Sequence, residues 1–378
     1  MSSDSVLLSR VGLANIGNTC FLNVVLQALR LTPPLGVLFL KDADDAEALE
    51  LREQSKRKDI VKAFRTLMVD FWRASTPTGT YPTLIPRGFF HNLHAVLRET
   101  DDDWYHPGQQ CDAAEALQYI LDSLHDGLYR RVKMDIVGSS ATSEEEAHAR
   151  CIQSWASFFS KEYSPIVQNF NGQNQIQISC SVCGNVSERY EPWLMIKAPI
   201  PGAHVVGGPA PDMKACIDAA FAPESLDDYQ CEKCAKKVKA VITNKISRVP
   251  PITMVSLKRF TNTGMKVRGR INWDLDSLDF SSWMAFDRDP FGDPHRKGGA
   301  EYITYAVIEH HGSTHGGHYR MYARQGDHWR QYDDSSVSDV HPEHVITADS
   351  YIALMMPKAY AGVMNKVFEH VVKSVRPT

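Results

Sequence analysis

The sequence predicts a mixed α+β fold on three observations. Apolar residues recur at helical spacing through the first third, strand-like alternation takes over from about residue 166, and two C-x-x-C pairs fall between candidate strands. After Gly17-Asn18-Thr19-Cys20, the residues Phe21, Leu22, Val25, Leu26 and Leu29 mark one helix, which Pro33-Pro34 ends. Residues 42–62 alternate in charge and lead into a helix carrying Phe64, Leu67, Met68 and Phe71. Residues 76–86, rich in Thr and Pro, read as a loop. Leu117, Ile120, Leu121, Leu124 and Leu128 form the apolar stripe of a further helix that starts near Asp112. Residues 138–146 read as a polar, acidic connection.

Ile176 and Ile178 alternate with polar residues before the first C-x-x-C, and residues 238–243 follow the second, both hairpin signatures. Between them, 199–211 carries Gly202, Gly207 and Gly208 and reads as a flexible connection. Strands are expected at 252–257, 302–309, 319–323 and 351–356, with 286–299 as an exposed insertion rich in Asp, Pro and Gly. In the tail, Val363, Val367, Val371 and Val375 lie four apart beside Met364, Phe368 and Val372. That makes an amphipathic helix, to be packed on the body or offered to a partner.

Composition bounds the function. The chain has 378 residues, 43% hydrophobic and 23% charged, which is ordinary for a globular protein, and its net charge of -4 argues against a nucleic-acid surface. The longest apolar runs fall far short of the ~18 residues of a membrane span, and the first ten residues lack a signal-peptide layout. A cytoplasmic or nuclear protein is expected. Eight cysteines are too few for a disulfide scaffold, so the thiols are available for metal or catalysis.

Cys20 stands at a helix start, where unpaired N–H groups and the macrodipole favour a thiolate, and Gly17 permits a sharp turn before it. On those grounds alone a buried structural cysteine and a nucleophile both remain open. Gly316-Gly317-His318-Tyr319 puts a histidine at a strand start, and Tyr332-Asp333-Asp334-Ser335 ends the next strand-like segment. Antiparallel pairing would bring Asp333 beside His318, where a carboxylate fixes the imidazole tautomer. Cys180/Cys183 and Cys231/Cys234, with 47 residues between the pairs, have the spacing of a four-thiolate structural zinc site. Neither pair opens a helix after a buried strand, as a redox pair would.

Five motifs, in order, resemble the ubiquitin-specific proteases. Residues 12–23, Gly-Leu-Ala-Asn-Ile-Gly-Asn-Thr-Cys-Phe-Leu-Asn, resemble that family's Cys box. Gln110-Cys111-Asp112-Ala113-Ala114-Glu115 resembles its Gln-x-Asp-Ala-x-Glu helix start, and Phe170-x-Gly172 leading to Cys180-x-x-Cys183 its entry to the fingers. Leu257-Lys258-Arg259-Phe260 resembles its Leu-Lys-Arg-Phe strand. Tyr302 through His318-Tyr319 to Asp333-Asp334 resembles its His box. The resemblance implies a papain-like cysteine protease of thumb, palm and zinc-ribbon fingers. Residues 1–165 would be the helical thumb with Cys20, 166–250 the fingers, 251–358 the palm with His318 and Asp333, and 359–378 the C-terminal helix.

What the resemblance implies for function is a thiol-dependent deubiquitinase. It would cleave the isopeptide or peptide bond after the terminal Gly of ubiquitin through a thioester acyl-enzyme. Cys20 would be the nucleophile, His318 the general base, Asp333 its orienting carboxylate and Asn15 an oxyanion donor, with Asp334 an assisting acid. Asp112 and Glu115 would bind the Arg-containing tail of ubiquitin, and Tyr319 would flank a narrow channel for its terminal Gly-Gly. Cys180, Cys183, Cys231 and Cys234 would hold structural Zn2+. Ubiquitin and ubiquitinated proteins are the implied partners, with no nucleic acid and no membrane. The alternatives are a protease for a ubiquitin-like modifier and a non-catalytic ubiquitin-binding scaffold. The latter would be marked by loss of Cys20, His318 or Asp333, all of which are present. A zinc-ribbon nucleic-acid module would use Lys233, Lys236, Lys237 and Lys239, a run that reads more simply as a solvated face. Val24 and Cys111 depart from the family pattern without removing a group that the mechanism needs.

Overall fold

The structure, a computed structural model, describes residues 10–375 except 43–44, 46–48, 75–80, 139, 203–209, 262–263, 293–299, 314–315 and 327, and the side chains of 360 and 364. The 203–209 part of the expected flexible connection and the 293–299 part of the insertion therefore lie outside the described residues.

The N-terminal body begins with a two-residue strand β1 (Gly12–Leu13), then α1 (Cys20–Arg30), α2 (Pro33–Leu40) and α3 (Lys58–Ala74). A short strand β2 (Thr83–Leu84) returns to pair in parallel with β1, and α4 (Arg87–Thr100), α5 (Ala113–Leu128), α6 (Ser143–Phe159) and α7 (Pro165–Phe170) follow. Every residue of α1 is buried, which explains why its sequence is apolar nearly all round. It packs against both α5 and the central sheet. The first turn of α6 occupies residues read as connection: Thr142 accepts from the Glu145 N–H while the Glu145 carboxylate accepts from the Thr142 N–H, a capping box that starts a helix in an acidic stretch.

A long antiparallel sheet follows, in the order β4-β3-β7-β6: β3 (Gly172–Cys180), β4 (Val186–Trp193), then, after the departing strand β5 (Ile196–Ala198) and α8 (Met213–Ala220), β6 (Glu224–Cys231) and β7 (Lys236–Arg248). The remaining strands are β8 (Thr253–Leu257), β9 (Leu278–Asp279), β10 (Glu301–Ser313), β11 (Gly316–Gln325), β12 (His328–Asp333), β13 (Ser336–Val340) and β14 (Ser350–Pro357). They form an eight-stranded sheet with β10 and β14 at its centre and β5 at one edge. Alternate residues face opposite sides: Ile308, Tyr319, Met321 and Leu354 join the core shared with α1, while Val307, Tyr322 and Trp329 line a separate cluster behind the sheet.

The segment read as an exposed insertion docks in part. Phe286 is buried edge-on to His148, and Phe291 lies against Trp155, both on α6. Among the described residues no single helix is long and apolar enough to cross a membrane.

The tail forms α9 (Lys358–Val375), and its apolar stripe is spent largely on the body. Phe368, Val371, Val372 and Val375 are buried, whereas Val363 remains 54% exposed. The Phe368 ring meets Trp72 edge-on with centroids 5.2 Å apart and covers Gly36, where a Cβ would fall 2.0 Å from the ring. Phe368→Ala should lower the unfolding free energy by about 3–5 kcal/mol in chemical denaturation. A loss below about 1 kcal/mol would show that this ring does not hold the helix.

Candidate active site

Cys20 is delivered by a tight loop. Gly17 and Asn18 take positive φ (118° and 57°), the Asn15 Oδ1 accepts from the Thr19 and Gly17 N–H groups at 3.0 and 3.3 Å, and the Thr19 hydroxyl accepts from Ile16. Asn18 Nδ2 donates to the Gly108 carbonyl, tying the loop to the segment before α5. The Cys20 thiol, 2% exposed, receives the backbone N–H of Tyr319, the residue immediately after His318. A lowered thiol pKa was the expectation at a helix start. Burial reverses it and pushes the Cys20 thiol up, with the Asp334 charge adding to the rise against the N–H groups of Tyr319, Phe21 and Cys20 itself.

The histidine and carboxylate meet as the strand spacing predicts. His311 pairs with His318 across β10 and β11, and His318 Nε2 lies 2.6 Å from Asp333 Oδ1. The strands approach so closely here that a Cβ on Gly317 would fall 2.1 Å from the His311 carbonyl oxygen. The second oxygen of Asp333 lies 3.1 Å from Arg320 Nε. Asp334 has φ of 50° and faces the N-terminal loop: its carboxylate accepts from Asn15 Nδ2 at 2.9 Å and Asn23 Nδ2 at 2.8 Å, and its carbonyl from the Leu13 N–H at 2.8 Å. One N–H of the exposed Asn15 amide is thus engaged, and the other is available to a ligand.

A cleft of about 750 Å3 opens beside this group, lined by Gln110, Asp112, Glu115, His310, Tyr319 and Tyr351 among others. Asp112 caps α5 through Oδ1, accepting from Ala114 and Glu115 N–H groups at 2.7 and 3.3 Å, and accepts the Tyr351 hydroxyl at 2.8 Å. Glu115 carries no such load. Tyr319 is buried, with its hydroxyl near the Ala113 N–H and its ring 4.5 Å from that of His310. Burial, then the Lys266 charge, pulls His310 down to about 4, so it stays neutral. Cys111 also lines the cleft, but burial and the Glu115 and Asp112 charges push its thiol up to about 11.

Gln110, quoted in a motif but given no role from sequence, holds the backbone in front of the histidine. Its Nε2 donates to the Gly317 carbonyl at 3.0 Å and its Oε1 accepts from the Gly317 N–H at 3.0 Å.

The two C-x-x-C pairs converge at the far end of the four-stranded sheet. Cys180 and Cys234 sulfurs are 3.8 Å apart, Cys183 and Cys231 3.7 Å, and all four sulfurs lie within 4.8 Å of one another. A tetrahedron with ~2.3 Å metal–sulfur bonds has edges of about 3.8 Å, so the four could hold a metal ion. The N–H groups of Cys183 and Val182 draw the Cys180 thiol down, while the neighbouring sulfurs push the Cys234 thiol up, so the four sulfurs titrate together. Among the described residues, Val238 and Tyr229 are the apolar side chains clustered with the sulfurs at this end of the sheet.

A thiol at the start of a buried helix, set against a sheet histidine bonded to a carboxylate, defines the papain-like cysteine hydrolase fold with thumb, palm and fingers. The chain belongs to the ubiquitin carboxyl-terminal hydrolase family, whose model matches residues 11–355. It is 29% identical over 348 residues to ubiquitin carboxyl-terminal hydrolase Usp2 of Drosophila melanogaster, covering 90% of this chain but 34% of that protein. It is 26% identical over 385 residues to human ubiquitin carboxyl-terminal hydrolase 3 (93% and 69%) and 28% over 376 to the rat hydrolase 21 (93% and 62%). The chain therefore spans about a third of the fly relative's length. Among solved structures, the SAGA Ubp8/Sgf11/Sus1/Sgf73 module bound to ubiquitin aldehyde shares the fold, with TM-score 0.65, 19% identity, and coverage of 94% of this chain and 70% of that one.

With burial dominating, Cys20 of the free protein should be a thiol at neutral pH. Its alkylation by iodoacetamide, mapped by mass spectrometry, should accelerate with pH to a midpoint above the ~8.5 of an unperturbed thiol. A rate already level by about pH 7 would contradict this electrostatic account.

Proposed function

We propose that the protein is a deubiquitinating cysteine protease that hydrolyses the bond after ubiquitin's C-terminal Gly. The observation that carries this reading is the 2.6 Å His318–Asp333 contact next to the backbone N–H that meets the Cys20 thiol. Family membership supports the reaction class, and a solved neighbour of the same fold is a SAGA DUB module bound to monoubiquitin.

In this mechanism His318 takes the Cys20 proton as the sulfur adds to the terminal Gly carbonyl. Asp333 holds the imidazole in the tautomer that can accept. The oxyanion receives the free N–H of the Asn15 amide and the Cys20 backbone N–H, each donor worth ~3 kcal/mol in the transition state. His318 then returns the proton to the departing amine, leaving a thioester on Cys20. Water, deprotonated by His318, hydrolyses the thioester and frees the ubiquitin carboxylate. Because burial holds the thiol protonated at rest, the base is indispensable.

Glu115, and the part of Asp112 not spent on the cap, would accept hydrogen bonds from the arginines of ubiquitin's tail. Tyr319 walls the channel in which only Gly-Gly fits. Cys180, Cys183, Cys231 and Cys234 would hold a structural Zn2+, which ties the two hairpins together when bound.

Ubiquitin with a C-terminal propargylamide should form an adduct on Cys20 that Cys20→Ala abolishes while still binding ubiquitin. No adduct with the wild-type protein would overturn the reading, and one with a SUMO probe alone would reassign the modifier. Protein purified without chelator should carry one zinc per chain by elemental analysis, lost in Cys183→Ser/Cys234→Ser. Metal-free native protein, with the fingers intact, would refute the zinc assignment.

A further inference from the structure

A row of charged side chains runs across the palm from Asp333 and takes no part in the reaction above. Glu309 pairs with Arg320 across β10 and β11, two residues from the His311–His318 pair, so all four side chains share one face. Asp333 follows Tyr332, which pairs with Met321, and so comes beside Arg320 on the next strand. Arg320 stands between two carboxylates: Nε is 3.1 Å from Asp333 Oδ2, and Nη1 is 4.0 Å from Glu309 Oε1.

The two carboxylates differ in freedom. Glu309 is 0% exposed and fully engaged: Oε1 takes the Tyr322 hydroxyl at 3.0 Å and faces His311 Nε2 at 2.7 Å, and Oε2 takes the Thr347 hydroxyl at 2.7 Å. His311 Nδ1 is in turn 3.1 Å from Asp349 Oδ2, and Asp349 Oδ1 takes the buried Lys266 ammonium at 2.6 Å. Asp333 is part-exposed at a strand end, and besides His318 its charged neighbour on the sheet is Arg320. Among the described residues no acceptor lies along the Arg320 Nε–H direction. The contact with Asp333 is therefore a charge contact, which sets where the carboxylate sits without using up a lone pair by an aligned hydrogen bond.

We infer that Arg320, anchored by the immobile Glu309, is a positioning residue: it holds the outer oxygen of Asp333 so that the inner one stays on His318. Without it, Asp333 at a partly exposed strand end turns toward solvent, and the imidazole loses its orientation. The inference rests on the proposed catalytic pair, so its test includes a readout that needs no turnover.

That readout is the downfield proton of the His318–Asp333 hydrogen bond, observed by NMR in Cys20→Ala protein. Adding Arg320→Gln should shift or broaden it, and Arg320→Lys, which keeps the charge, should largely restore it. In otherwise wild-type protein, Arg320→Gln should lower kcat on ubiquitin bearing a C-terminal fluorogenic amide on the order of tenfold, with KM changed less than about twofold and Arg320→Lys recovering most of the loss. An unmoved resonance together with wild-type kcat in Arg320→Gln overturns the inference. So does a loss of melting temperature with the resonance intact, which marks a purely structural arginine. If the wild-type protein turns over no ubiquitin substrate yet the resonance still depends on Arg320, the deubiquitinase reading fails and the positioning contact stands.

Discussion

The interaction on which the rest depends is a clamp around one turn residue. Asp334 sits at φ of 50°, a conformation that Asp tolerates better than most residues. From there its carbonyl accepts Leu13 and its carboxylate accepts Asn15 and Asn23. Beneath it the chain passes so close that a Cβ on Gly12 would fall 2.3 Å from the Ser335 carbonyl oxygen. Residues more than 300 apart in sequence are thereby stitched at four points around the start of α1. The thiol then reaches the Tyr319 N–H as a consequence of where β1 and α1 are anchored.

The clamp has an electrostatic cost that shapes the chemistry. Asp334 and burial both favour a protonated Cys20, so the mechanism proposed above needs a base beside it. His310, also at the cleft, is held neutral by burial and by Lys266, whereas His318 lies against Asp333. On the cleft's other wall Asp112 serves the fold twice, as a helix cap and as acceptor for Tyr351.

Residues read from local spacing were legible, and those defined by register were not. Cys20, His318, Asp333 and the four cysteines sit in short motifs, and strand pairing brings His318 beside Asp333 and the four sulfurs to one another as the spacing requires. The Gln110 clasp on Gly317 and the Arg320–Glu309 pair depend on which strand residues face each other, which no single segment reveals. The Thr142–Glu145 capping box lies in a stretch whose acidity reads as a solvated connection, and Phe286 and Phe291 are hidden by the Asp, Pro and Gly around them. The sign of the Cys20 shift went the other way because a helix start stabilises a thiolate by less than full burial destabilises it.

A double-mutant cycle across the clamp tests the account most directly. Asn23→Ala, Asp334→Ala and the double variant would be compared by chemical denaturation. A coupling energy of about 1–3 kcal/mol is expected, because the Asn23 amide donates to the charged Asp334 carboxylate in a part-buried setting. Losses that add to within about 0.3 kcal/mol would contradict it, since Asp334 would then not be what holds the helix bearing Cys20 against the strands bearing His318 and Asp333.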